Sequence, residues 1–189
     1  MHMTQMEEYA VVLDYLPYGK STDTTKEPLT QVLGETYFTI LEVVPKAGTE
    51  LKIGERVYIG KNERDKIDHI KTRISFYDLT SGAKTELPLA LTKIVKAREV
   101  DYVGFFNKCG PVTIRLHQLE LLPGIGKKHM LDLLKEREKK PFASFDDMRA
   151  RVALLPDPIH LIAQRIEEEL KGASKYYILT RPPQQPRQF

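Results

Sequence analysis

Tryptophan is absent from the 189-residue chain, and cysteine occurs once, at Cys109. A lone cysteine excludes an internal disulfide framework and any multi-cysteine zinc site, and it fits a reducing compartment. Long apolar runs are missing as well. Nothing approaches the roughly 20 residues that span a bilayer, and the opening MHMTQMEEYA lacks the apolar core of a secretion signal. The chain therefore reads as soluble and cytoplasmic, with no membrane partner. Its five histidines, His2, His69, His117, His129 and His160, have no spacing suited to zinc. No Walker loop or dinucleotide fingerprint occurs, so neither a metal nor a cofactor is expected.

What is present is charge, unevenly placed. Residues 1–110 hold 15 basic and 16 acidic side chains, whereas residues 111–189 hold 14 basic and 10 acidic. Within 121–140, six Lys or Arg face three Asp or Glu. A positive excess concentrated in one half is a mild binding field, although a solvated helix face would carry the same run.

The first part of the chain reads as strands. YAVVLDYL (Tyr9 to Leu16) and YFTILEVV (Tyr37 to Val44) are rich in β-branched and aromatic residues and stop at Pro17 and Pro45. Between them YGKSTDTTKEP is a polar loop. LTQVLGETYF suggests a hairpin turning at Gly34-Glu35, LKIGERVYIG a turn at Gly54, and IDHIKTRISFYDL a further strand. Short strands with glycine turns and no intervening helices favour a small antiparallel barrel. Near Ser81 the period changes: Leu87, Leu91, Ile94 and Val95 share one face of a helix that Pro88 can begin. Beyond Gly110-Pro111 the chain reads as helical to Gly172. KYYILT then suggests a strand, and RPPQQPRQF a disordered tail.

The stretch LELLPGIGKKH carries the strongest local chemistry. A helix over Thr113 to Leu122, ended by Pro123, meets a second over Lys127 to Lys139 that buries Met130, Leu131 and Leu134. Gly124 and Gly126 let the backbone turn and let another group come close, while Ile125 pins the turn to the core. The first amides of the second helix have no intrahelical partner, and the helix dipole makes that end positive. Lys127 and Lys128 there are poorly placed for the dipole of their own helix; an external anion such as a phosphate relieves the conflict. A purely structural helix pair is the competing reading. LPGIG between apolar helices resembles the helix-hairpin-helix motif, which grips nucleic-acid backbones without reading bases.

A shift of 33 residues lays LLPGIGK (Leu121 to Lys127) on LLPDPIH (Leu154 to His160), suggesting a second, degenerate copy. Ser144 before Asp146 and Asp147 marks a helix start, Asp157-Pro158 an N-cap and first-turn pair, and Gly172 a stop. Asp157 adds a negative charge and Pro158 removes a donor, so this copy reads as structural.

Other candidates are weaker. Lys61, Arg64, Lys66, Lys71 and Arg73, mixed with Tyr58 and His69, form a possible nucleic-acid surface on the strand half. Glu63, Asp65 and Asp68 nearly cancel their field. Phe76 and Tyr77 read as one core and one surface residue rather than a stacking platform. His117 and His129 read as structural, Cys109 as buried and inert, and Asp146-Asp147 as capping residues rather than a catalytic pair.

These readings give an α+β chain: an antiparallel barrel over 1–80, bridging helices over 81–110, an all-α domain over 111–174, and a short strand and tail over 175–189. GERVYIGKNERDKIDHI, TIRLHQLELLPGIGKKHMLDLLKEREKKPFASFDDMRARV and the closing LPDP resemble an archaeal family of unknown function, the domain-of-unknown-function 655 family, described as RNA-binding. The resemblance covers nearly the whole chain. It implies an oligonucleotide-binding (OB-like) β-barrel joined to a tandem helix-hairpin-helix domain, and no catalytic residue. Genes of that family often lie beside those for an RNA polymerase subunit and a ribosomal RNA dimethylase, which implies RNA metabolism or ribosome biogenesis. The expectation is a non-enzymatic nucleic-acid-binding protein, RNA foremost, with Gly124, Ile125, Gly126, Lys127 and Lys128 as its phosphate grip. The alternative is an adaptor that docks transcription or ribosomal proteins.

Overall fold

The computed structural model describes residues 6–183. The chain is mixed α+β and divides into two units. The first comprises the chain to Ala90 with Leu170–Ala173 and the chain from Thr180, and the second comprises Leu91–Glu169 with Ser174–Leu179.

The first unit is a curled five-stranded antiparallel sheet of β1 (Tyr9–Leu16), β2 (Leu29–Gly34), β3 (Ile40–Pro45), β4 (Arg56–Tyr58) and β5 (Ile67–Arg73), in the order β4-β1-β2-β3-β5. The two apolar runs become β1 and β3 because β-branched residues fit a pleated surface on both faces. Ala10, Val12, Val32, Val43, Val57 and Ile67 form its core. Register shifts within β1 and β3 curl the sheet. The expected small antiparallel barrel is present as a half-barrel: among the described residues no ladder joins β4 to β5. The β2–β3 turn falls after Gly34 as the sequence suggests. Its amides at Thr36, Tyr37 and Thr39 donate to the buried Glu7 carboxylate at 2.9, 2.8 and 3.1 Å.

Helix α1 runs Ser81–Ala97, seven residues ahead of Pro88. The Thr80 hydroxyl accepts the Ala83 amide at 3.0 Å and starts the helix there. Pro88 lies inside the helix on its exposed side. The anticipated face is correct: Leu87, Leu91, Ile94 and Val95 are all buried.

The second unit continues with α2 (Glu99–Lys108), a β-hairpin of β6 (Pro111–Thr113) and β7 (Leu116–His117), and a 3-10 turn over Gln118–Leu121. Then come α3 (Lys127–Lys139), α4 (Phe145–Arg151) and α5 (Pro158–Leu170). The helix expected over Thr113 to Leu122 is thus a hairpin and a single tight turn. Val112, Thr113 and Ile114 are β-branched and disfavour helix. The side chain of His117 accepts the Leu119 amide at 3.1 Å, and Glu120 accepts the His117 amide at 3.0 Å, which closes the turn. Within α3 the residue buried outright is Leu133; Met130 and Leu134 are half-buried and Leu131 is exposed. At about 100° per residue, Leu131 lies roughly opposite Leu133. Residues 175–180 form no strand. Of the expected tail, residues 184–189 lie outside the described residues. Among the described residues no helix is long and apolar enough to cross a membrane.

Candidate functional site

The connection from the 3-10 turn to α3 is built by two backbone hydrogen bonds, Leu122 N to Leu119 O and Ile125 N to Leu122 O, each 3.1 Å. Gly124 at φ +86° takes the left-handed conformation that an L side chain resists. Ile125 is buried and anchors the turn. Gly126 differs: it is the N-cap of α3 at φ −94° and ψ −177°, extended backbone open to any residue. A Cβ there would meet nothing within 4 Å. Neither conformation nor packing asks for a glycine at 126.

The first helical bond of α3 runs from Met130 N to Gly126 O at 3.0 Å. Among the described residues nothing accepts from the amides of Lys127, Lys128 and His129, and the first turn has no acidic residue. Both lysines are exposed. The other helices begin differently: α1 on Thr80, α2 with Glu99 and Asp101, α4 on Ser144, whose hydroxyl accepts the Asp147 amide at 3.0 Å. In α5 the Asp157 carboxylate accepts the Ile159 amide at 3.2 Å. The sequence shift laid Asp157 on Gly124, but in the structure it caps α5 as Gly126 caps α3. One helix start is filled by its own carboxylate; the other is open.

Neighbouring elements brace this turn. A Cβ at Gly124 would lie 3.7 Å from Leu161 and 3.9 Å from Pro156. The buried Arg165 of α5 donates to the Leu121 carbonyl at 3.2 Å and to the Glu169 carboxylate at 2.9 Å, and also bonds the Tyr176 carbonyl. Glu169, also buried, accepts the amides of Ile178 and Leu179 at 2.8 and 3.1 Å. Sequence reasoning passed over this pair, although its i,i+4 spacing on the face of Leu161, Ile162 and Ile166 is legible.

The basic run around the turn is smaller than its count. Arg137 donates to the Phe106 and Cys109 carbonyls at 2.9 and 2.8 Å, closing the end of α2, and Lys139 pairs with Glu136. Lys127 and Lys128 remain in solvent. In the strand half, Lys66 pairs with Glu55, Lys71 lies 3.9 Å from Asp23, and Arg64 bonds the Gly60 carbonyl at 2.8 Å. Lys61 and Arg73 are exposed and make no ion pair among the described residues. Three of these five side chains are thus engaged, and they do not form one free cationic face; β5 is a solvated edge strand.

Cys109 is buried, and burial pushes its thiol up, against the neighbouring Arg137 guanidinium. Asp147 accepts the Ala143 amide and pairs with Arg151, and Asp146 pairs with Arg149. Among the described residues no three His, Cys, Asp or Glu gather as metal ligands. His117 is held below its ordinary value of 6.5, by burial first and by Arg137 next. Its unprotonated Nδ1 caps the 3-10 turn, and a proton there would break that bond. The unfolded chain therefore binds this proton more readily than the folded one. The stability involved is complete above the ordinary value and is lost as pH falls below it through the lowered folded value. Thermal melts from neutral to mildly acidic pH should show a falling melting temperature, with a shallower fall for His117→Asn, which keeps a capping side chain. An identical slope in that variant would refute the assignment.

Residues 6–181 match the family described as "Protein of unknown function (DUF655)". The chain belongs to the DUF655 family. It is 48% identical over 179 residues to the uncharacterized protein MJ0038 of Methanocaldococcus jannaschii, covering 94% of this chain and 81% of that protein. The crystal structure of the DUF655 protein Af1531 from Archaeoglobus fulgidus superposes with a TM-score of 0.87 at 48% identity, over 93% of this chain and 100% of that one. The half-barrel and the helices thus recur in a solved DUF655 structure.

Proposed function

We propose that this protein binds nucleic acid, RNA foremost, by holding a backbone phosphate on the open start of α3. The observation that carries the reading is Gly126: the fold has no need of a glycine there, the three following amides are unfilled, and two lysines flank them. A phosphate oxygen supplies the acceptor and the negative charge that this helix end lacks. The turn and α3 act as the working half of a helix-hairpin-helix pair, with α4 and α5 as the half capped from within by Asp157. The curled sheet serves as an OB-like surface for the rest of the ligand. Backbone contacts position a nucleic acid without reading it, so specificity comes from shape or from the sheet. The reading is of a binder without turnover, since Asp146, Asp147 and His117 are spent on caps and ion pairs. The gene neighbourhood implied by the family resemblance supports a role in RNA metabolism or ribosome biogenesis.

Replacing Lys127 and Lys128 together by alanine tests this. Affinity for single-stranded RNA should fall roughly tenfold at low salt, and the slope of log affinity on log salt should drop by about 1.4. Circular dichroism should be unchanged, because both side chains lie in water. Unaltered affinity and slope would remove the turn from the mechanism. Binding of a protein partner with little salt dependence would instead favour an adaptor, and Val100, 85% exposed beside Phe105 on a groove of α2, is the feature suited to it.

A further inference from the structure

The first unit carries a second cationic surface, in a place the charge pattern along the chain did not mark. A 3-10 turn over Phe76–Asp78 joins β5 to α1. The Ser75 amide and hydroxyl donate to the Asp78 carboxylate at 2.8 and 2.7 Å and fix the turn. Phe76 is half-buried, whereas Tyr77 is 68% exposed, its ring edge-on to Phe76 at 5.4 Å and 90°. The ammonium groups of Lys84 and Lys171 lie 5.6 and 5.3 Å from the centre of the Phe76 ring. Lys20 also approaches: with Lys84 it helps hold the Asp78 carboxyl below its usual range, behind the Ser75 hydrogen bonds that are the larger cause. Lys20 itself pairs with the buried Glu42.

Lys84 and Lys171 thus flank the Phe76 ring, and Lys20 and Lys84 lie near an acid whose carboxylate is already engaged. Phe76 has a use in the fold, since its ring receives two lysine ammonium groups. Tyr77 covers no such group: its ring is mostly in water. A large ring held at a fixed angle beside ammonium groups is suited to a base with a phosphate on either side, and such stacking needs an unpaired base, because a base within a duplex offers only its edges.

We propose that Tyr77 is a stacking platform for an unpaired base, with Lys84 and Lys171 meeting the adjacent phosphates, so that the ligand of this surface is single-stranded nucleic acid. The inference deepens the nucleic-acid reading and rests on it for the class of partner, but it uses none of the residues of the α3 turn.

The test is fluorescence anisotropy of the full chain with a short labelled oligoadenylate RNA, free and annealed to its complement, at low and at physiological salt. Tyr77→Ala should weaken single-strand binding about tenfold with an unchanged salt slope, while Tyr77→Phe stays within about twofold of the native chain. Lys84→Gln should lower the slope by about 0.7. Duplex binding should not respond to Tyr77→Ala. A Tyr77→Ala chain that binds the single strand as the native chain does would overturn the proposal, and would leave an acidic peptide as the better occupant. So would equal losses for single strand and duplex. The Lys127→Ala/Lys128→Ala chain is measured alongside: a loss there with none at Tyr77 removes the platform and keeps the α3 turn, and the converse removes the turn and keeps the platform.

Discussion

Gly126→Asp should make the protein more stable and less able to bind RNA. At φ −94° and ψ −177° the position accepts any residue, and no atom would crowd a new Cβ. The added carboxylate can take the place that Asp157 holds in α5, accepting an amide of the first turn at the positive end of the helix. A cap replacing glycine contributes a few tenths of a kcal/mol, and its charge on the dipole adds about 0.3–1 kcal/mol. The melting temperature should rise by about 1–4 °C. Binding should move the other way, because the carboxylate fills the slot and repels phosphate. Loss of a charged hydrogen bond, about 1.5–3 kcal/mol, corresponds to a fall of roughly 10- to 150-fold in affinity. Gly126→Ala has neither cap nor charge and should bind nearly as the native chain does, at a small loss of stability. Calorimetry and anisotropy read the two effects separately. A Gly126→Asp chain with native affinity would show that no anion sits at this helix start.

Arg165→Ala should be the most destabilising single change in the second unit, by about 3–5 kcal/mol. It leaves the Glu169 carboxylate buried without its ion-pair partner, and it frees the Leu121 and Tyr176 carbonyls. Replacing a buried ion pair by apolar residues is often close to neutral. Here Arg165→Met with Glu169→Leu should recover only part of the loss. The Ile178 and Leu179 amides, which now donate to Glu169, would be left without an acceptor. Denaturant titrations of the single and double variants decide the matter; a single variant within about 1 kcal/mol of the native chain would show the network to be dispensable.

Several features of this fold are legible because they are local. The bounds of α3, the Ser144 cap, the Asp157-Pro158 start of α5 and the burial of Ile125 each follow from residues within a turn of one another. Capping side chains act over three residues, and a β-branched apolar run such as Tyr9–Leu16 is a strand whichever strand it pairs with. Where the reading failed, the deciding contact was easy to overlook or distant. The sequence suggests a helix over Thr113 to Leu122, but its β-branched start and the cap on His117 favour a hairpin and a tight turn. Pro88 resembles a helix start, but the Thr80 hydroxyl supplies one earlier.

From composition, periodicity and caps alone, the sequence determined that this protein is α+β, where most of its strands and helices lie, and that Gly124 and Gly126 interrupt the chain before two lysines. Tertiary structure alone decided which charges remain available. Arg137, Arg165 and Lys66 look equivalent to Lys127 and Lys128 in a count, yet they are consumed by carbonyls and carboxylates distant in sequence. It also decided that the two glycines differ, one bent by its backbone and the other merely open. The physical reason is range: dihedral preference and capping are settled within a few residues, whereas the fate of a charge or an amide depends on what the fold brings beside it.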